Sequence, residues 1–480
     1  MLNTAAHRLR EGNGVHMRLL GRSVLVIAML VAAAGTAPLW PPTPGHAAVA
    51  LTQVSSDPFT NVDGQHGNQV GPDIAAGGSL SVFGAFQAGR SVNGGSAGVG
   101  FARTPDHGAH WYTGFLDGIT VYKGGGAYTG VSDVALSFRL NYNRWLVSTL
   151  ATGGPGGSSA VLTSVTWTDG LVWKGPYTVA TGQLTKNWVV CDNWVSSFGN
   201  RCYTGYSVSN AGNAMRMHIS LDGGVTWGPA RATPDNASGL AARPVILRSG
   251  TVIVPYLANN GQIRSFRSTD GGVTWSSSTL VATASHHTPA GGLRTTSMPS
   301  MQLDNNGNAF AVWSDCRFRS GCVANDIVIS KTRDGLTWTS PRRVPITSTG
   351  SSADHFAPGI GIDPATWDAE ARIGVTYAYY PNTNCTQSTC QLYYGFISST
   401  NGGASWSAPT RVAGPMSLSW LPQTSRGAMF ADALTTVIPP NGNALVLLPI
   451  ASAPSGGRLN QAMYAPSGGG LPLTGGTVRG

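Results

Sequence analysis

The segment Ser220-Leu221-Asp222-Gly223-Gly224-Val225-Thr226-Trp227 returns as Ser268-Thr269-Asp270-Gly271-Gly272-Val273-Thr274-Trp275 and as Thr104-Pro105-Asp106-His107-Gly108-Ala109-His110-Trp111. Ser399-Thr400-Asn401-Gly402-Gly403-Ala404-Ser405-Trp406 carries Asn in place of Asp. Two further copies read as one residue shorter: Thr332-Arg333-Asp334-Gly335-Leu336-Thr337-Trp338 and a degraded Trp167-Thr168-Asp169-Gly170-Leu171-Val172-Trp173. Successive Asp or Asn positions lie 48 to 67 residues apart, which allows one supersecondary unit per copy. The residue types are those of a hairpin turn. Asp and Ser/Thr side chains bond nearby backbone N–H groups, and Gly accepts a positive φ. The Trp, leaving the turn, can pack between neighbouring sheets.

Composition agrees with a β-rich chain. Of 480 residues, 64 are Gly and 11% are charged, against about 25% charged in an ordinary soluble domain. Two Glu and four Lys exclude long Glu/Lys-rich helices. A 41% hydrophobic content that includes 14 Trp, 14 Tyr and 13 Phe excludes disorder. The +9 net charge is less telling than it looks, because Arg8, Arg10, Arg18 and Arg22 face only Glu11 near the N-terminus. The remaining basic residues are scattered singly, so no nucleic-acid partner is expected.

Residues 1–50 read as an export leader. Arg18 and Arg22 precede the apolar run Val24–Ala34, which is too short to span a bilayer, and Gly45, Ala47, Ala48 and Ala50 offer cleavage sites. No stable membrane insertion is expected. Six cysteines form three local pairs, Cys191/Cys202, Cys316/Cys322 and Cys385/Cys390, and even number, short spacing and export predict three disulfides. A metal site fails on spacing, since no C-x-x-C occurs and the pairs lie more than 60 residues apart. No cofactor is expected, and Asp304-Asn305-Asn306-Gly307 reads as a turn without the other ligands of a calcium loop. Residues 51–466 are taken as the folded domain, expected to be monomeric, and 467–480 as a Gly-rich tail. Leu471-Pro472-Leu473-Thr474-Gly475 in that tail has the form of a sorting signal without the hydrophobic span such signals need.

The repeated segment resembles the Asp-box, or bacterial neuraminidase repeat, of sialidases and their relatives. Lys186-Asn187-Trp188-Val189-Val190-Cys191-Asp192-Asn193, Asp315-Cys316-Arg317-Phe318-Arg319, Asp354-His355-Phe356 and Gly414–Pro422 extend the likeness to secreted proteins usually labelled exo-alpha-sialidase. The resemblance implies an all-β propeller of four-stranded antiparallel blades. Inner-strand starts recur near Pro72, Asp133, Trp188, Pro244, Pro299, Pro358 and Met429, seven against six boxes. After the last start come only Asn443–Ile450 and Leu459–Tyr464, while Val49–Val54 is a free apolar segment. Seven blades closed by the N-terminal strand are therefore expected; the alternative is six blades with a C-terminal appendage.

The family's activity transfers less readily. Sialidases use a Tyr nucleophile with a Glu partner, an Asp acid/base and three Arg on the substrate carboxylate. Their early Phe/Tyr-Arg-Ile-Pro motif is replaced here by Val70-Gly71-Pro72-Asp73-Ile74, and the sole Glu after the leader is Glu370, in the turn Asp363–Arg372. A site on the ring would draw on loops that lead into inner strands, which selects Asp73, Asp133, Asp192, Asp354, Asp432, Arg243, Arg294 and His355. Asp354-His355 is the first choice for acid/base chemistry, with Asp73 or Asp432 opposite. Arg243, Arg294, Arg317 and His355 are candidate substrate contacts. Trp188, Trp194, Trp420, Tyr377 and Tyr379 are candidate sugar-stacking surfaces, although strand alternation sends about half of such residues into cores. Three functions follow: a glycoside hydrolase of sialidase type acting on sugar termini, a non-catalytic glycan-binding propeller, and a polysaccharide lyase.

Overall fold

In a computed structural model of the protein, residues 49–78, 80–241, 243–476 and 478–479 are described. The expected leader falls almost entirely outside them. Among the described residues the only helices are three-residue 3-10 turns, and no helix is long and apolar enough to cross a membrane.

The remainder is a succession of antiparallel meanders. The first pairs Gln69–Gly77, Ser81–Arg90, Ser96–Thr104 and Tyr112–Phe115 in order, and the second pairs Gly130–Arg139, Arg144–Thr152, Ser159–Thr166 and Lys174–Gly182. Leu184–Cys191, Cys202–Val208 and Ala214–Ser220 form the third, to which Arg231 adds a bridge at Met217. The fourth runs from Gly239–Ala241 and Val245–Ile246 through Val252–Ala258 and Gln262–Ser268 to Thr279–Thr283. Ser300–Leu303, Ala309–Asp315, Asp326–Thr332 and Arg342–Arg343 make the fifth; Asp354–Ile362, Ile373–Tyr380, Gln391–Ser399 and Thr410–Ser417 make the sixth. Last come Leu448–Ser455 and Arg458–Pro466, and the strand beyond them is N-terminal: Leu51 pairs with Pro466 and Gln53 with Tyr464. Val49–Val54 therefore does what its isolation in the sequence suggested and supplies an outer strand to a C-terminal hairpin.

The repeated turns work as the residue types require. In the third meander Ser220 Oγ accepts the Gly224 N–H at 2.8 Å, while the Asp222 carboxylate accepts the Thr226 N–H at 2.9 Å and the Thr226 hydroxyl at 2.6 Å. Gly223 and Gly224 sit at φ 74° and 92°, which a β-carbon would oppose. The Trp227 indole donates to Thr163 Oγ1 at 3.1 Å, and Trp338 to Ser265 Oγ at 3.0 Å. Each Trp thus reaches the third strand of the preceding meander and fastens two sheets together. The degraded copy is corrected by one residue. Thr168, not Asp169, holds the turn through a 2.8 Å bond from the Val172 N–H, and Asp169 occupies the first glycine's place at φ 52°. That copy is full-length with Thr in the Asp position.

Between meanders lie apolar layers such as Phe83, Phe101, Leu136 and Trp145, and Val312, Ile360, Val375 and Trp406, all buried. Inner and middle strands are covered on both faces, which is why they read as near-continuous apolar runs rather than strict alternations. Disulfides join Cys191–Cys202, Cys316–Cys322 and Cys385–Cys390, as the spacing predicts. In the Gly-rich segment, Leu471 is buried and exchanges two backbone bonds with Ala444.

Candidate functional site

Four inner strands share one irregularity. Gly71, Asp133, Lys186 and Ala357 adopt left-handed conformations, with φ of 58°, 46°, 51° and 49°. Each lies within a register shift against the next strand: Val70/Asp73, Ser132/Ala135, Thr185/Trp188 and Phe356/Gly359. Such bulges insert one residue and re-aim its side chain. For Asp the left-handed region is tolerated, but for Lys it is rare, and such a residue persists only where its surroundings fix it.

What fixes Lys186 is charge. Its backbone N–H donates to Asp133 Oδ2 at 3.0 Å and its Nζ to Asp133 Oδ1 at 3.1 Å. The same Nζ bonds Asp432, which also takes Arg294 Nη2 at 2.9 Å. Asp133, Lys186, Arg294 and Asp432, with Arg90 and Arg426, line a cavity of about 760 Å³ at the leading ends of the inner strands. Arg90 is buried, donates to Gln87 Oε1 at 3.0 Å, and is brought down to about 10 by burial and by Arg294, against the pull of Asp432. It keeps its charge at neutral pH. Burial works to raise Asp432, but Lys186 and Arg294 outweigh it and hold the carboxyl well below the usual range. Burial likewise opposes the charge on Lys186, and Asp133 and Asp432 outweigh it, so the ammonium is held above its ordinary value. At the rim, the Tyr122 hydroxyl donates to Asp63 Oδ2 at 3.3 Å; burial and then this carboxylate push the phenol up.

The candidates named from the sequence divide between this cavity and other places. Asp432 and Arg294 line it, and Trp188 lies on a narrower recess beneath, beside Lys186 and Asp432. Arg243 stands 6.0 Å from the Trp188 ring and 3.8 Å from Asp73. Asp73 is buried, accepts the Leu136 N–H at 2.7 Å, and so ties the first inner strand to the second. Burial raises its carboxyl, with Arg243 opposing.

Asp354, His355, Arg317 and Tyr377 do not line the cavity. Asp354 is fully buried, accepting Asn325 N–H at 2.8 Å and Asn325 Nδ2 at 2.9 Å on one oxygen and His287 Nδ1 at 3.0 Å on the other. His355 is buried edge-on to Tyr377, and burial pushes it down to about 4, a neutral ring at physiological pH. Tyr377 lies in the core between sheets and offers no face to a sugar. Arg317 braces its own loop, through Asp315 Oδ2 at 2.6 Å and the Thr283 carbonyl at 2.8 Å. The reason is local: in this inner strand the left-handed place belongs to Ala357, so no reactive side chain is sent to the mouth. Arg90, Lys186, Arg426, Tyr122 and Asp63 were not singled out from the sequence. The one signal available was that Asp133 and Lys186 are charged residues near inner-strand starts.

Residues 157–360 match the family model of the BNR repeat-like domain. No curated protein matches the chain in sequence. Among solved structures it is similar to the BP39L lectin of Burkholderia pseudomallei, at 12% identity over 84% of this chain and 95% of the lectin, with a TM-score of 0.51. A Hadza microbial sialidase gives 14% identity over 83% of this chain and 65% of its own length, with a TM-score of 0.44. The alpha-L-arabinanase of Penicillium chrysogenum gives 12% over 88% and 98%, with a TM-score of 0.45. At these identities the likeness is one of fold.

Proposed function

We propose that the protein is an exported, glycan-directed propeller of seven blades whose mouth binds an acidic sugar. The ring is supported by three links between chain ends: Leu51–Gln53 pairing with Arg458–Pro466, the Gly71 N–H donating to the Phe430 carbonyl at 2.9 Å, and Val54 N–H to Met463 at 2.8 Å. Three disulfides suit an oxidising compartment outside the cell.

The observation that carries the binding reading is the cluster of Arg90, Lys186 and Arg294 around Asp133 and Asp432, built on left-handed inner-strand residues. Arg90, Lys186, Arg294 and Arg426 against Asp63, Asp133 and Asp432 leave the cavity lining with one positive charge in excess. An anionic group entering the cavity completes the balance, and guanidinium forks suit a carboxylate because they donate two parallel bonds. Asp432 is held by Lys186 and Arg294 and stays ionised, so it is not poised to donate a proton to a glycosidic oxygen. Sugar binding is therefore favoured over hydrolysis by a carboxyl pair.

A second reading rests on Tyr122 and Asp63. A phenol bonded to a carboxylate at the rim of a cationic cavity has the parts of a nucleophile and its base. Calorimetry with sialyl and uronate oligosaccharides beside a neutral set, on wild type and Arg294→Ala, tests the first reading. It expects binding of the acidic sugars to weaken at least about tenfold on the substitution, and any binding of neutral sugars to be unaffected by it. Acidic-sugar binding that Arg294→Ala leaves unchanged, or no binding of acidic sugars, overturns it. Release of product from a fluorogenic sialoside, lost in Tyr122→Phe, would establish the second reading, and its absence would exclude it.

A further inference from the structure

Away from the mouth, a groove of about 650 Å³ runs between the repeated turn Thr332–Trp338 and the next one, Ser399–Trp406. It lies at the other end of the sheets, because it is lined by turns that follow inner and third strands rather than by their leading ends. Asp368, in the turn after the inner strand Asp354–Ile362, projects its carboxylate here with 40% of the side chain exposed. Asp368 is itself left-handed, at φ 49°. It is held there by its N–H to Asp304 Oδ2 at 2.8 Å, and its carboxylate is gripped by Asn306 Nδ2 at 2.7 Å, Asn308 Nδ2 at 2.9 Å and Arg333 Nη2 at 2.6 Å.

We propose that this groove is a second glycan site that takes a neutral pyranose through two adjacent hydroxyls. The argument is a count of unused valences. A carboxylate has about four acceptor positions. Asp368 Oδ1 fills two, with Asn308 and Arg333, while Oδ2 uses one, with Asn306. Arg333 spends Nε on Asn308 Oδ1 and Nη2 on Asp368, and among the described residues Nη1 makes no bond. One acceptor position on Asp368 and one donor nitrogen on Arg333 are thus left without a partner among the described residues at the groove. A vicinal diol presents that complement: one hydroxyl donates to Asp368 Oδ2 and its neighbour accepts from Arg333 Nη1. Trp338 closes the wall. Its indole N–H is already committed to Ser265 Oγ at 3.0 Å, so it offers the groove carbon surface of the kind that covers a sugar's C–H face. A carboxylate in place of the donating hydroxyl would be opposed at Asp368 itself, although Lys331, Arg333 and Arg342 outnumber Asp334 and Asp368 around the groove.

The site is independent of the one at the mouth, and the experiment separates them. Saturation-transfer NMR with methyl hexopyranosides and affinity electrophoresis in gels containing mannan, galactan or dextran are run on wild type, Asp368→Ala, Ala404→Trp and Arg294→Ala. Wild type is expected to give transfer and retardation with at least one neutral probe. Asp368→Ala should lose about tenfold or more in affinity, and Arg294→Ala should lose none. Ala404 is exposed at the groove edge, so Ala404→Trp fills the space without touching the core and decides the matter if Asp368→Ala fails to fold. Wild type that binds no neutral probe overturns the proposal, as does Ala404→Trp that binds like wild type.

Discussion

Replacing Lys186 with Met removes the ammonium that Asp133 and Asp432 share while keeping most of the side-chain volume. At 3.1 Å and an effective dielectric of about 20, the attraction to Asp133 alone is about 5 kcal/mol before desolvation is counted. Met relieves the ammonium's own burial, but the two carboxylates stay behind. Asp432 retains Arg294 at 2.9 Å, whereas Asp133 keeps only the backbone N–H of residue 186. Breaking a buried pair from one side costs about 3–5 kcal/mol, so Lys186→Met should lose about 3 kcal/mol, the low end reflecting Arg294. The pH dependence is the more discriminating measurement. Asp432 is depressed in the folded state, so its stabilisation is present above its unfolded value of about 3.9 and fades as pH falls below that. Lys186 is raised, so its stabilisation is present below about 10.4 and fades above it. Urea unfolding of wild type and variant should show the full deficit across neutral pH and a shrinking one in acid below about pH 4. A variant within about 0.5 kcal/mol of wild type at pH 7, or a deficit unchanged in acid, would refute the network.

Other substitutions test other parts. His355 is pushed from 6.5 down to about 4, so its neutral burial favours the fold above pH 6.5 and this advantage is lost as pH falls toward 4, worth about 3 kcal/mol. The stability gap between wild type and His355→Gln should narrow by that amount over the window; a flat gap would mean the ring is not buried neutral. Asp222→Ala removes a carboxylate that holds the Thr226 N–H and hydroxyl and should cost about 2 kcal/mol, while Thr168→Ala in the degenerate turn should cost about 1 kcal/mol or less. Thermal melts rank the two, and a reversed order would contradict the roles given to them. Replacing Cys191 and Cys202 by Ser should cost about 2–3 kcal/mol, and non-reduced peptide maps should show no bridge between the three local pairs.

The repeated turns were legible because everything they need is within eight residues. Ser220, Asp222, Gly224 and Thr226 bond one another, so the sequence states the geometry. The degenerate copy was misaligned by one residue because Asp169 looked like the turn's carboxylate. In the fold Thr168 does that work, and Asp169 serves as a left-handed residue, which Asp tolerates better than most. The N-terminal strand was legible for another reason: a hairpin without an outer strand and an apolar segment without a partner imply each other.

The site was not legible in the same way, because its members meet only across sheets. Arg90 comes from the first meander, Asp133 from the second, Lys186 from the third, Arg294 from the crossing between the fourth and fifth, and Asp432 from the approach to the last. Strand alternation alone places Asp354 or His355 toward the cavity as readily as Asp133. The bulge decides which residue is aimed inward, and a bulge is visible only once the partner strand is known. That selection also bears on chemistry. The bulge at Lys186 places a cation in the cavity, whereas the one at Ala357 puts a buried core residue in that place and leaves the Asp–His pair away from the cavity. Where hydrolysis needs a carboxyl kept protonated by burial, this arrangement buries Asp73 and Asp354 behind partners of their own and leaves the open cavity to Asp133 and Asp432, matched with cations, and to Asp63, which takes the Tyr122 hydroxyl. The mouth is thereby better suited to holding an anion than to donating a proton.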